Sequence, residues 1–99
     1  MQVTAWNNGG AGYGLEIQAS DRDRFFDRNW RAVVLELSGQ GQAVVAVSPS
    51  FWRSCSELRS AEIGRWLQRN GLAPWPRGRR PKVIMEHVTG NRFAVKLPG

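Results

Sequence analysis

The sequence predicts an α+β fold: a small antiparallel sheet or a partly open barrel, with one main helix at about residues 60–70 and a second, short helix. Five stretches have the apolar alternation or β-branched content that is typical of strands, whereas only one stretch has sustained helical spacing. The 99 residues provide for one domain. We place this domain at residues 13–99, after a flexible, glycine-rich lead-in at residues 1–12.

The first predicted strand covers residues 13–18, where large apolar residues alternate with small or polar ones. The preceding residues 7–14 contain four glycines, which disfavour a regular element. A phosphate-binding loop is not indicated, because neither a following helix nor a Lys-Ser/Thr pair is present. Residues 20–29 predict the short helix, with Ser20 as its N-cap.

Two hairpins are predicted from pairs of apolar stretches. Residues 30–37 and 43–47 are rich in β-branched residues and are separated by the turn sequence Ser-Gly-Gln-Gly-Gln. Residues 82–88 and 92–97 flank Thr-Gly-Asn and predict a closing hairpin. These four strands and the one at residues 13–18 make up the predicted sheet.

The main helix is predicted to begin after Ser60 and to end before Gly71. Within it, Ile63, Trp66 and Leu67 have the i, i+3, i+4 spacing of one buried helix face. Glycine at position 71 suits the left-handed conformation that ends many helices. This helix separates the two predicted hairpins.

The chain is basic, and the excess charge lies in its second half. Fourteen Lys and Arg against eight Asp and Glu give a net charge of +6. Residues 1–50 carry a net charge of −1 and residues 51–99 a net charge of +7. Such a charge is typical of proteins that bind nucleic acids or other anionic surfaces. A GC-rich genome would also favour arginine, which supplies twelve of the fourteen basic residues.

Residues that could catalyse a reaction or bind a metal are few. Cys55 and His87 are the only cysteine and histidine, so an internal disulfide and a Cys/His metal site are excluded. We interpret Cys55 as a small buried thiol and His87 as a strand residue without a catalytic partner. No apolar run reaches the roughly 18–20 residues of a membrane span. The sequence leaves an enzyme open, but it favours a non-catalytic protein without cofactor, metal or membrane association.

The strongest binding candidates lie in the extended segment 73–82, where three prolines restrict the backbone. Arginine and lysine neutralise phosphates, and a tryptophan ring stacks on a base. The alternative is that Trp75 packs on the core and the arginines are only solvated. With two arginines of the main helix included, the candidate nucleic-acid-binding residues are Arg65, Arg69, Trp75, Arg77, Arg79, Arg80 and Lys82.

Residues 64–72, Gly-Arg-Trp-Leu-Gln-Arg-Asn-Gly-Leu, and the hairpin at residues 82–97 resemble the second half of B3-like DNA-binding pseudobarrel domains. That family has a Gly-Trp, an aromatic-aliphatic pair, an Asn before a Leu and then a closing hairpin, in a similar order of strands and two helices. This chain departs from it where Arg65 separates glycine from tryptophan. The resemblance implies DNA binding by two loops, which correspond by position to residues 7–14 and 48–56. It assigns no base-contacting residue here.

We therefore predict a small, basic, non-catalytic nucleic-acid-binding module of the cytoplasm that contacts phosphates through an arginine-rich loop and a helix face. DNA and RNA are both open as ligands. The alternative is a protein-interaction or accessory module whose basic face binds an acidic protein. The oligomeric state is also open, since an unpaired edge strand could support a dimer.

Overall fold

Seven strands and two α-helices form the fold, which we describe from a computed structural model of residues 1–99. The strands are β1 (Gln2–Asn7), β2 (Tyr13–Glu16), β3 (Ala32–Leu37), β4 (Gly41–Ala46), β5 (Glu57–Arg59), β6 (Lys82–Thr89) and β7 (Arg92–Lys96). The helices are α1 (Ala19–Phe25) and α2 (Ala61–Arg69), and a 3-10 turn covers Pro49–Trp52. The α+β prediction is confirmed, including the main helix and the second, short one.

All seven strands belong to one sheet, in the order β4-β3-β7-β6-β1-β2-β5. Neighbouring strands are antiparallel except β3 and β7, which are parallel. The two edge strands, β4 and β5, contact each other without forming a ladder, so the sheet nearly closes into a barrel. The parallel pair joins strands that are far apart in the chain, since Val34 of β3 is the partner of Arg92 of β7, 58 positions later.

β1 corrects the prediction for the N-terminus. The sequence predicts a flexible lead-in at residues 1–12, but β1 lies between β6 and β2, and its Val3 and Ala5 are buried. Five hydrogen bonds of 2.8–3.1 Å organise the glycine turn that follows: the Asn7 Nδ2 donates two of them to glycine carbonyls, and the Oδ1 atoms of Asn7 and Asn8 accept three from glycine N–H groups. The prediction missed β1 because it buries only two small apolar side chains.

Two further differences from the prediction concern short elements. β5 was not predicted, because it has three residues and only Leu58 is buried among them. The N-cap of α1 is Gln18, without a side-chain hydrogen bond, and Ser20 lies inside the first turn. In α2, by contrast, the predicted cap is confirmed, since the Ser60 hydroxyl accepts a hydrogen bond from the Glu62 N–H at 3.1 Å.

Buried apolar side chains fill the barrel, and aromatic and aliphatic side chains close its two ends. Ile63, Trp66 and Leu67 of α2 are fully buried at one end, which confirms the predicted helix face. The Trp66 Nε1–H donates a hydrogen bond of 2.9 Å to the Ser38 carbonyl in the β3–β4 turn. Phe26 and Phe51, with ring centroids 5.1 Å apart, close the other end.

The two helices lie at opposite ends of the barrel. β2 and β5 are antiparallel neighbours, and α1 follows β2 whereas α2 follows β5. The α2 end therefore carries the β1–β2 turn and residues 70–81. The α1 end carries residues 47–56 and the β6–β7 turn, whose Asn91 side chain donates to the Ala32 carbonyl at 3.0 Å.

Candidate nucleic-acid interface

A surface at the α2 end is built around Trp6, a half-buried residue of β1. In the sheet, Trp6 is paired with Gly14 of β2, and Gly14 is paired with Arg59 of β5. The Arg59 guanidinium carbon lies 4.4 Å from the centroid of the Trp6 ring, which is a cation–π contact. Glu57 binds the same guanidinium at 3.1 Å, so Arg59 is held from two sides.

Glycine at position 14 is required by the close approach of β5. A Cβ there would lie 2.5 Å from the Leu58 carbonyl oxygen and 3.2 Å from the Arg59 Cα. Both are backbone atoms that a side-chain rotation cannot move. Any larger residue would displace β5 and with it the contact between Arg59 and Trp6.

A cleft of about 430 Å³ separates the β1–β2 turn from α2. Tyr13 forms part of its wall and packs against Gly64, where a Cβ would lie 3.1 Å from the ring. The cleft thus combines aromatic rings, guanidinium groups and side-chain amides. The lining residues that matter below are Trp6, Asn8, Tyr13, Arg59, Arg65 and Gln68.

A groove of about 510 Å³ separates the β1–β2 turn from the loop at residues 74–80, and Trp6 lines this groove as well as the cleft. Trp75 and Arg77 line the groove. The Trp75 ring meets Tyr13 edge-on at 5.7 Å between centroids, and it also packs against the core. We call the cleft, the groove and the Trp6 side chain between them the Trp6 surface.

Besides Trp75, three of the predicted arginines line the Trp6 surface, and they differ in how firmly the fold holds them. Arg77 is exposed and has no ion pair. Arg65 lines the cleft and pairs with Glu62 at 3.3 Å. Arg80 is anchored, because it donates to the Ala5 carbonyl at 2.9 Å and to Glu16 at 2.8 Å. Its guanidinium therefore connects the loop to β1 and β2.

The other predicted side chains lie near this surface without lining it. Arg69 is exposed in the last turn of α2, and Lys82 is exposed at the start of β6. Arg79 is exposed in the loop, next to Gly78, whose φ of +78° is the left-handed conformation that glycine tolerates. The structure therefore keeps these three basic groups at the α2 end.

Ion pairing leaves the basic side chains in excess. Six ion pairs engage six of the eight carboxylates and six of the fourteen basic residues. Four of the remaining basic residues belong to the α2 end or the start of β6, and four to the α1 end or its loops. The first four are Arg69, Arg77, Arg79 and Lys82, and the others are Arg24, Arg28, Arg31 and Arg53.

The α1 end has a different arrangement. Trp52 is contacted by two arginines, with the guanidinium carbons of Arg22 and Arg28 at 5.4 and 4.5 Å from its ring. Arg22 also pairs with Asp23 at 3.0 Å. Carboxylates of α1 and its flanking loop thus lie among these arginines, whereas no carboxylate lines the cleft or the groove of the Trp6 surface.

The predicted site residues do not include Trp6, Tyr13 or Arg59. Trp6 and Arg59 are 53 positions apart and meet only through the register of β1, β2 and β5. No local pattern connects them. A usable signal would have been the tryptophan beside an Asn-Asn-Gly turn, since such a position flanks a hairpin tip.

Glu62, which pairs with Arg65 of the cleft, is expected to make the stability of the fold depend on pH in the acid range. A hydrogen bond of 2.6 Å from the Ser60 hydroxyl, with smaller contributions from the backbone and Arg65, lowers the pKa of Glu62. Its stabilisation is therefore complete above the ordinary glutamate pKa and is lost as pH falls through the lowered value. We expect Glu62→Gln to lose less Tm than the wild type between about pH 5 and about pH 3. Parallel curves of Tm against pH in the two proteins would contradict this.

The other side chains that could react or bind a metal lie far from one another. His87 is exposed, with its Nε2 at 2.7 Å from the Gly90 carbonyl, and the half-buried Cys55 has its thiol beside the Ser54 hydroxyl. No three His, Cys, Asp or Glu side chains lie close enough together to hold a metal ion. None of the helices has the length and apolar character needed to span a bilayer.

Comparison with protein-family models, curated proteins and solved structures found no match to this chain.

Proposed function

We propose that the chain is a nucleic-acid-binding module and that the Trp6 surface is its interface. The observation that carries this proposal is the combination of two tryptophans with one unpaired arginine on one surface, with further unpaired basic side chains nearby. Trp6 and Trp75 line a groove with the unpaired Arg77, and the groove contains no carboxylate. Base-stacking rings beside phosphate-neutralising cations are the recurring composition of nucleic-acid-binding grooves.

The charge balance supports the same proposal. The four unpaired basic side chains at or near the α2 end supply contacts that a polyanion would satisfy, and they explain the position of the excess charge. An acidic protein would also be attracted, and it remains the alternative partner. A nucleic acid is favoured because the half-buried aromatic rings and the amides of the cleft match the faces and edges of bases.

The resemblance to B3-like pseudobarrels also supports a nucleic-acid ligand. Of the two loops that it implies, residues 7–14 border the Trp6 surface, whereas residues 48–56 carry Trp52 at the α1 end. We place the interface at the first loop, because carboxylates are absent from its cleft and groove.

The proposal is tested by fluorescence anisotropy with labelled single-stranded DNA, RNA and duplex DNA. If all four unpaired basic groups contact phosphates, the affinity for a single strand should fall about 50-fold between roughly 50 and 200 mM salt. Trp6→Ala should weaken binding about tenfold at fixed salt, because one stacking surface is lost. Circular dichroism would verify that the variant is folded.

Trp52→Ala is the matched control, since Trp52 is another half-buried tryptophan in contact with arginine, at the opposite end of the barrel. We expect it to leave binding unchanged. Weakening by Trp52→Ala alone would move the interface to the α1 end. Absence of binding to all three ligands at low salt would contradict the proposed function and favour an acidic protein partner.

A further inference from the structure

We propose that the cleft between the β1–β2 turn and α2 holds one unpaired nucleobase, so that the chain prefers single-stranded DNA or RNA to a duplex. This inference rests on the proposed function and specifies its ligand. It is carried by the composition of the cleft, in which stacking groups and hydrogen-bonding groups surround one space. The groove on the other side of Trp6 has cations and tryptophans but fewer amides.

The cleft is large enough to hold one base. Its volume of about 430 Å³ lies within the range of roughly 300–1,000 Å³ that is typical of small-molecule sites. A base within a duplex has both faces stacked and its pairing edge occupied, so it enters such a site only when it is unpaired or flipped out. A single strand presents its bases without that energetic cost.

The Trp6 and Arg59 side chains supply a stacking platform. Bases stack on aromatic rings and on the planes of arginine guanidinium groups. The cation–π contact at 4.4 Å and the Glu57 carboxylate at 3.1 Å hold Arg59 in place before any ligand arrives. Tyr13 adds a second ring, fixed between Gly64 and Trp75.

The polar groups of the cleft suit the edge of a base. The side-chain amide of Gln68 offers donors and an acceptor, and that of Asn8 offers its Nδ2 donors, which together are the combination that base edges require. Gln68 is exposed on α2, and the Asn8 Oδ1 is occupied by the N–H groups of Gly10 and Gly12, which orients its amide.

The ion pairs indicate different roles for the cleft and the groove of the Trp6 surface. Arg59 and Arg65 in the cleft are paired with Glu57 and Glu62, so their net charge is largely compensated while their N–H groups remain at the cleft wall. In the groove, Arg77 is unpaired, whereas Arg80 is anchored by the Ala5 carbonyl and Glu16. We therefore assign base contacts to the cleft and phosphate contacts to the groove, with Trp6 between them.

The experiment distinguishes the contribution of base contacts to the affinity from that of phosphate contacts. Anisotropy is measured with labelled oligothymidylate, oligouridylate and a fully abasic DNA strand, each of about 12 nucleotides, at about 50 mM salt. A duplex of the same length is the fourth probe. We expect the base-bearing strands to bind about tenfold more tightly than the abasic strand and the duplex. Oligothymidylate against oligouridylate distinguishes DNA from RNA as the source of the base.

Ala61→Trp fills the cleft without touching the core, since Ala61 is the exposed first residue of α2 and lines the cleft. It should lower the affinity for base-bearing strands to that of the abasic strand and leave abasic binding unchanged. Ala19→Trp, at the exposed first residue of α1, is the matched control and should change neither.

Gln68→Ala tests the cleft without adding bulk. It should weaken base-bearing strands about fivefold, whereas Gln42→Ala, at an exposed glutamine of β4, should have no effect. Equal affinity for base-bearing and abasic strands, or undiminished binding by Ala61→Trp, would overturn the inference while the proposed function stands. If none of the four probes binds, the proposed function itself has failed.

Discussion

Trp66→Ala is expected to destabilise the fold by about 3–5 kcal/mol, the usual cost of removing a large aromatic ring from a core. Trp66 is fully buried and is the largest side chain in the core. It closes the α2 end of the barrel, and its Nε1–H donates to the Ser38 carbonyl at 2.9 Å. Since a domain of this size is stable by about 5–15 kcal/mol, the variant should lose a large part of its stability. Urea denaturation followed by circular dichroism measures this loss.

Two phenylalanine variants isolate the hydrogen bond within that effect. Trp66→Phe removes a donor that has a partner, whereas Trp52→Phe removes a buried Nε1–H that has none within the chain. We expect Trp66→Phe to be the more destabilising, because it combines lost volume with a lost hydrogen bond worth about 1 kcal/mol. A loss below about 1 kcal/mol in Trp66→Ala would show that α2 is not anchored by this ring.

The elements that could be predicted from the sequence are those whose signals are local. The α2 helix has its cap, its buried face and its glycine stop within twelve residues, from Ser60 to Gly71. The two predicted hairpins have their turns between adjacent apolar stretches. β1 and β5 could not be predicted in the same way, because they are stabilised by strands that lie far away in the sequence.

The candidate site also has one part that local sequence signals predict and one part that they do not. Trp75 and Arg77 are two positions apart, and their loop could be identified from its prolines and arginines. The cleft could not, because the contact of Arg59 with Trp6 depends on strand register and on the missing side chain at Gly14. The ion pair between Arg80 and Glu16 could not be predicted either, because the two residues are 64 positions apart and meet only in the folded chain.

Reversing two charges beside the groove is expected to weaken single-strand binding about 100-fold at roughly 50 mM salt. The variant is Arg77→Glu combined with Arg79→Glu. Each phosphate contact contributes about 0.7 to the slope of log K against log salt, which corresponds to about tenfold in affinity at this salt concentration. The slope should therefore fall by about 1.4. Both side chains are exposed and unpaired, so we expect the stability to change by no more than about 0.5 kcal/mol.

The control for this variant must carry the same total charge. Arg24→Glu with Arg31→Glu also lowers the net charge by four, from +6 to +2, and both positions are exposed at the α1 end. If binding depends on local contacts at the groove, the control keeps most of its affinity and its salt slope. If the two double variants lose the same affinity, the attraction comes from the net charge of the whole chain. The Trp6 surface would then have no special part in binding, because long-range attraction is insensitive to where the charges lie.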